Sequence, residues 1–244
     1  MTGPDEIVRP DKASLAREVA GRLLWVLSSL TSEGDRTAHV SLTGGSMGIG
    51  SLAAVAAHPD RDAVDWSRVH LWWSDERFVA RDDDERNALQ ARRALGDAID
   101  IPAANVHEPR AAGAGSLDDA ARAYAEELRE HAPEGAVAPR FDVCLLGVGP
   151  DAHIASLFPG RDEVHVDDAT VLPVRESPKP PPERITFTLP VINGSARVWL
   201  VVAGSDKADA VAKVRAGAPL SDAPAAGARG DVETILFVDE AASA

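Results

Sequence analysis

Apolar positions along the chain alternate between two rhythms. From Asp11 to about Leu30, Leu15, Val19, Leu23 and Leu27 recur four apart. They share one stripe of a helix, with Asp11 or Ser14 placed to cap it. TAHVSLT (37–43) is a short strand-like run that passes directly into GGSMGIG, and SLAAVAA (51–57) is helix-prone. RVHLWWS (68–74) predicts the next strand and ends in DERFV. RNALQARRAL (86–95) and SLDDAARAYAEELREH (116–131) carry helical spacing, and FDVCLLG (141–147) reads as a buried strand. TVLPV (170–174), RITFTL (184–189), RVWLVVAG (197–204) and ETILFV (233–238) are further strand candidates. SDKADAVAKV (205–214) predicts a helix after one of them.

Strands that alternate with helices predict an α/β fold: a single-domain, Rossmann-like, mostly parallel sheet with helices on both faces. No internal repeat and no long linker divides residues 1–244. The segments 109–115 and 176–183 read as surface connections, the second stiffened by its prolines. In such sheets ligands bind beyond the carboxyl ends of the strands. Three predicted strand ends carry chemistry: Gly44–Gly45–Ser46, Asp75–Glu76–Arg77, and the stretch GVGPDAHIASLFPG (147–160) with Asp151 and His153. A helix is expected to follow that third strand.

Composition narrows the partners. The formal net charge is -14 and 45% of residues are apolar. That suits a globular core, and it disfavours nucleic acid and anionic membrane, both of which repel an acidic protein. An anionic ligand would need a local positive field from the site itself. The one cysteine, Cys144, lies in the buried strand and has no partner for an internal disulfide. The N-terminal stretch lacks the architecture of a signal peptide, and LLWVLSSL is too short to span a bilayer. A cytoplasmic monomer is the expectation, and no metal-ligand cluster is evident in the sequence.

Each candidate has a plain alternative. TGGSMG fits a phosphate cradle, in which glycine amides approach an anion at a helix N-terminus, or a tight turn that needs glycine only for geometry. GIGSLA (48–53) and GVGPDA (147–152) match the dinucleotide fingerprint in letters, but the first lies late for the turn and Pro150 removes an amide from the second. Arg77 fits a forked contact to phosphate or a local ion pair with Asp75 and Glu76. Asn87 fits a helix cap or a ligand contact. His153 beside Asp151 fits a general base with its partner, or a capping aspartate with a packed histidine. Lys207 opens a helix, where it opposes the dipole unless an anion binds there or an aspartate pairs with it. His39, His58, His70, His107, His131 and His165 read as surface or core residues.

Five segments in order resemble the 6-phosphogluconolactonase family: LTGGSMG, WSDERFVARDDDERN, FDVCLLGVGPDAHIASLFPG, SPKPPPERITFTLPVINGSARVWLVVAG and GSDKADAV. The resemblance spans nearly the whole chain. It departs from the family form at Ala152, where glycine is usual, and in lacking Thr-Pro after Gly-Gly-Ser. It implies hydrolysis of a sugar-phosphate δ-lactone in the pentose phosphate pathway without cofactor or metal. It further implies that His153 is the general base and Asp151 its acidic neighbour. Gly44, Gly45, Ser46, Arg77, Asn87, Arg184 and Lys207 are implied to bind substrate or its phosphate. Glucosamine-6-phosphate deaminases are similar through the same turn, but their histidine is followed by A-F-N-E-P-G. Phe158 here stands where their glutamate would be. A non-catalytic sugar-phosphate or nucleotide binder is the alternative of a different class.

Overall fold

The computed structural model describes residues 3–244. β1 (Asp5–Arg9) precedes α1 (Lys12–Thr31). The start of α1 is set by a capping box: the Asp11 carboxylate accepts from the Ser14 N–H at 2.7 Å, and the Ser14 hydroxyl accepts from the Asp11 N–H. β2 (Ala38–Leu42), α2 (Gly45–Ala57), β3 (Val69–Trp73), β4 (Asp75–Arg77) and α3 (Asn87–Leu95) follow. α4 (Leu117–Glu130), started by a second capping box between Ser116 and Asp119, leads to β5 (Val143–Gly147). The chain ends through β6 (Val171–Val174), β7 (Arg184–Phe187), α5 (Leu189–Asn193), β8 (Arg197–Val202), α6 (Ala208–Ala216), β9 (Glu233–Asp239) and α7 (Glu240–Ser243).

Six strands form a parallel sheet in the order β1-β9-β8-β5-β2-β3. Alternate residues of each strand enter opposite cores. Val143 and Leu145 face the layer of α1, α2 and α3, while Cys144 and Leu146 face the layer of α4 and α6. Trp199 and Val201 of β8 divide from Val198, Leu200 and Val202 in the same way. A strand buried on both faces is apolar at every position, which is why β5 and β8 are legible as continuous runs. The Tyr124 hydroxyl accepts from the Trp73 N–H at 2.9 Å and donates to its carbonyl at 3.1 Å, so α4 occupies main-chain groups of the edge strand β3.

Four expectations change. A second sheet, β4-β7-β6, is antiparallel, and the predicted strands at 170–174 and 184–189 belong to it. β1 went unseen because DEIVR is a half-exposed edge strand without an apolar run. α2 starts at Gly45, so GIGSLA is helix interior and not a pyrophosphate turn. No helix follows β5: residues 148–160 form successive turns, so Asp151 caps nothing.

The histidines also do more than fill space. His39 and His70 are register partners on β2 and β3, and His107 and His131 pack against His70 and Trp72. Burial pushes His39 down to about 3, helped by the charges of His70, His131 and His107. Burial pushes His70 down to about 4, helped by His107 and His131. A depressed histidine is neutral in the folded state while the unfolded chain protonates near 6.5. Stability from these groups is therefore complete above that pH and is lost as the pH falls toward the folded values. Urea midpoints are expected to decline between about pH 6.5 and 5, the loss partly offset by Glu76 of β4, whose carboxyl is raised by burial to about 7 and gains its proton in the same window. A flat profile across that window, or one unchanged in His70→Asn, would contradict this account.

Candidate active site

The order of strands reverses between β2 and β5. From β2 the chain moves outward to the edge strand β3, then returns to the other side of β2 as β5. In a doubly wound sheet that reversal leaves a crevice beyond the two carboxyl ends. The turns after β2 and β5 line it, and they are tied together by the Gly147 N–H, which donates to Thr43 Oγ1 at 3.1 Å.

The turn after β5 folds back on itself. The Gly149 N–H donates to the His153 carbonyl and the Ala152 N–H to the Gly149 carbonyl, each at 2.9 Å. The imidazole of His153 then lies against the main chain of Gly149. A Cβ there would sit 1.9 Å from His153 Nδ1 and 2.5 Å from Asp151 Oδ1, so the turn admits only glycine. His153 Nδ1 lies 2.5 Å from Asp151 Oδ1. A carboxylate only accepts, so the imidazole proton sits on Nδ1 and Nε2 presents a lone pair. The ring packs on Phe158, with centroids 4.6 Å apart.

Lys179 completes this group and was not foreseen. Its Nζ donates to Asp151 Oδ1 at 3.0 Å and stands 3.2 Å from His153 Nδ1. Burial alone would raise the Asp151 carboxyl. The hydrogen bonds and charges of His153 and Lys179 outweigh it and hold the group well below the usual carboxylate range. Lys179 lies in the proline-rich segment read as an ordinary surface connection. Its only sequence signal was a lysine enclosed by prolines, in a stretch too stiff to wander.

Arg184 explains how that segment is held. It is buried, and its guanidinium donates to the carbonyls of Lys179, Pro180 and Pro181 at 3.0–3.1 Å. Its Nη1 also reaches Ser156 Oγ at 3.4 Å and pairs with Asp75 at 3.8 Å. Ser156 Oγ donates to Asp75 Oδ2 at 2.7 Å. The donors of Arg184 are thus turned inward.

Asp75, Glu76 and Arg77 form β4 rather than a loop. Arg77 Nη1 donates to the Glu85 carbonyl at 2.7 Å. Glu76 has no exposed surface and accepts from the main-chain N–H groups of Arg77, Asn87 and Ala88 at 2.7–2.8 Å. It therefore caps α3 from outside the helix, where the N-cap residue Arg86 offers no side-chain acceptor. Burial pushes the Glu76 carboxyl up to about 7, against the pull of Arg86 and of those N–H groups. Asn87 is not the cap. It is the first helical residue, and its Nδ2 donates to the Asp75 carbonyl at 2.9 Å. Its Oδ1 is buried without a partner and abuts Gly44, where a Cβ would come within 1.8 Å of it.

The structure therefore brings together Asp151, His153 and Lys179 in one contact group and Gly44 with Asn87 in another. Gly45, with φ +75°, and exposed Ser46 open α2 at the crevice. Lys207 lies beyond the end of β8, the strand next to β5, where it precedes α6 and pairs with Asp206 at 3.5 Å. It touches none of the other candidates.

Three comparisons agree on family and fold. A family model described as glucosamine-6-phosphate isomerases/6-phosphogluconolactonase matches residues 10–236. A 6-phosphogluconolactonase of Streptomyces coelicolor is 48% identical over 98% of this chain and 94% of its own, and one of Mycobacterium tuberculosis is 46% identical over 96% and 95%. The crystal structure of a Thermotoga maritima 6-phosphogluconolactonase superposes with a TM-score of 0.83 at 27% identity, covering 97% of this chain and 100% of that one. A monomeric glucosamine-6-phosphate deaminase shares the fold, with a TM-score of 0.79 at 19% identity over 98% of both chains.

Glu76 is the residue on which the β4–α3 side of the crevice rests. Glu76→Ala orphans three buried N–H groups, and a loss of about 3 kcal/mol or more is expected in denaturant unfolding. Glu76→Gln keeps one acceptor oxygen and should lose less. Equal stability of wild type and Glu76→Ala would refute the capping role.

Proposed function

The chain belongs to the glucosamine-6-phosphate isomerase/6-phosphogluconolactonase family, and from that premise we propose that it hydrolyses 6-phospho-D-glucono-1,5-lactone to 6-phospho-D-gluconate. One observation carries the reading beyond kinship: the short His153–Asp151 hydrogen bond at the β2/β5 crevice, which leaves Nε2 as the free base. Water attacks the lactone carbonyl while Nε2 takes its proton. The tetrahedral oxyanion collapses, the bond from C1 to the ring oxygen breaks, and imidazolium Nε2 returns the proton to the departing oxygen. The new carboxylic acid then ionises. Asp151, kept anionic by Lys179, holds the ring in one tautomer and stabilises the imidazolium.

The rest of the crevice suits a phosphorylated sugar. Gly44, Gly45 and Ser46 open a 13-residue helix whose first N–H groups are unpaired within the helix. Lys207 after β8 and Arg77 at the end of β4 add positive charge for the phosphate, so that remote binding orients the lactone carbonyl. Asn87 Oδ1, unpartnered beside Gly44, accepts from a substrate hydroxyl. Arg184 serves through the loop that carries Lys179. The working unit is proposed to be a single chain. No described helix is long and apolar enough to cross a membrane, and the acidic composition supports a cytoplasmic enzyme. Deaminase chemistry is disfavoured by Phe158, an apolar ring against His153 where that reaction would use an acid.

The test is acid release from freshly prepared lactone, with spontaneous opening subtracted. Wild type is expected to exceed the blank greatly. His153→Ala should lose roughly 10²–10⁴-fold in kcat, with a smaller change in KM. Lys179→Met should raise the Asp151 pKa and so move the acid limb of the pH–rate profile upward. Equal rates for wild type and His153→Ala would remove the base, and a wild type no faster than the blank would end the lactonase reading.

A further inference from the structure

We propose that His70, His107 and His131 form a binding site for a divalent transition ion of the zinc class, separate from the lactone crevice. His70 is the second residue of β3, His107 follows the segment that bridges to Leu71, and His131 ends α4. None of the three touches Asp151, His153 or Lys179. One ring nitrogen from each lies within 4.8 Å of the other two. A tetrahedral zinc holds imidazole nitrogens about 3.3 Å apart, given Zn–N bonds of about 2.0–2.1 Å. Ligation requires the widest of these separations to close from at most 4.8 Å to that spacing.

The surroundings of the rings distinguish this from a chance cluster. His107 Nδ1 lies 2.7 Å from Glu127 Oε1, and His131 Nδ1 lies 3.0 Å from the Glu127 carbonyl. Both partners accept only, so both rings carry the proton on Nδ1 and keep a lone pair on Nε2. A carboxylate or carbonyl behind a ligating imidazole is the arrangement that fixes tautomer and basicity in zinc sites. One residue, Glu127, supplies it to two ligands. The third nitrogen, His70 Nδ1, lies 2.8 Å from His107 Nε2. A single proton bridges them in the metal-free protein. A metal ion replaces that bridge once His70 carries its proton on the other ring nitrogen.

A fourth position is available. His107 and His131 line a cavity of about 320 Å³ whose wall includes Glu108, Glu126 and Glu130. Water can complete the coordination there, and the acidic wall concentrates cations. Three imidazoles with an oxygen suit zinc, copper or nickel rather than magnesium or calcium. The bound ion joins β3, the strand's outer neighbour and the end of α4, adding to the hydrogen bonds of Tyr124, His107 and Glu127 that already link them.

Zinc chloride titrated calorimetrically into chelator-treated protein tests the site, with cobalt(II) visible bands as a second readout. One ion per chain is expected in wild type and in His153→Ala, which lacks the other histidine–carboxylate pair. His131→Gln, at a partly exposed helix end, should bind roughly 100-fold more weakly. Glu127→Gln keeps every ligand and should lose about 10–100-fold. Circular dichroism checks that each variant is folded, and Glu127→Gln decides the matter if His131→Gln is not. No uptake by wild type, uptake unchanged in the folded variants, or uptake abolished by His153→Ala would overturn the proposal.

Discussion

The crevice depends on one oxygen atom. Asp151 Oδ1 receives His153 Nδ1 at 2.5 Å and Lys179 Nζ at 3.0 Å, so two segments 28 residues apart meet on a single acceptor. Charge-assisted hydrogen bonds of this kind are about twice as strong as neutral ones. Their value here is chiefly orientation. The imidazole can adopt this pose only because Gly149 lets it rest on the backbone. The lysine can reach only because Arg184 clamps three successive carbonyls of its loop. Arg184 is in turn balanced by Asp75, whose carbonyl holds Asn87, which abuts Gly44. A line of direct contacts thus runs from the His153 imidazole to the α2 turn.

Backbone strain concentrates at the same place. Ala152 and Ala155 both have positive φ, at +66° and +47°, within the turn that carries His153. A non-glycine residue there costs about 1–2 kcal/mol. Ala152 is buried, and its methyl group joins the core beside α4 and β5. Burying one methyl contributes about 0.8 kcal/mol, and alanine also restricts the unfolded chain relative to glycine. The terms nearly cancel, which accounts physically for alanine standing where the family form has glycine. The main-chain bonds of the turn are intact, and the Ala152 carbonyl accepts from the Ala225 N–H at 3.0 Å.

Much of this was readable from the chain. Helices with caps and four-residue spacing, such as α1 and α4, declare themselves locally. β5 and β8, buried on both faces, declare themselves by unbroken apolarity. The Asp151–His153 pair was legible because the two residues are near neighbours at a strand end. What escaped depends on distant partners. β4 exists because β7 pairs with it, and DER has no strand propensity of its own. Glu76 caps a helix eleven residues onward. Lys179 acquires a role only when Arg184 folds its loop over the β5 turn. The four clustered histidines sit on separate elements, and only the register of β2 and β3 aligns the first two.

An acidic chain that binds a phosphate must confine positive charge. With a formal net charge of -14, the long-range field repels an anionic substrate. Positive charge at the crevice, such as the start of α2, counters it only within about a Debye length, roughly 8–10 Å. Arg184, by contrast, is buried and internally neutralised by Asp75, so it does not add to that local field. Lys179 is likewise committed to Asp151. Arg184 and Lys179 therefore shape the turn that carries His153, while Lys207 pairs with Asp206 and Arg77 with the Glu85 carbonyl.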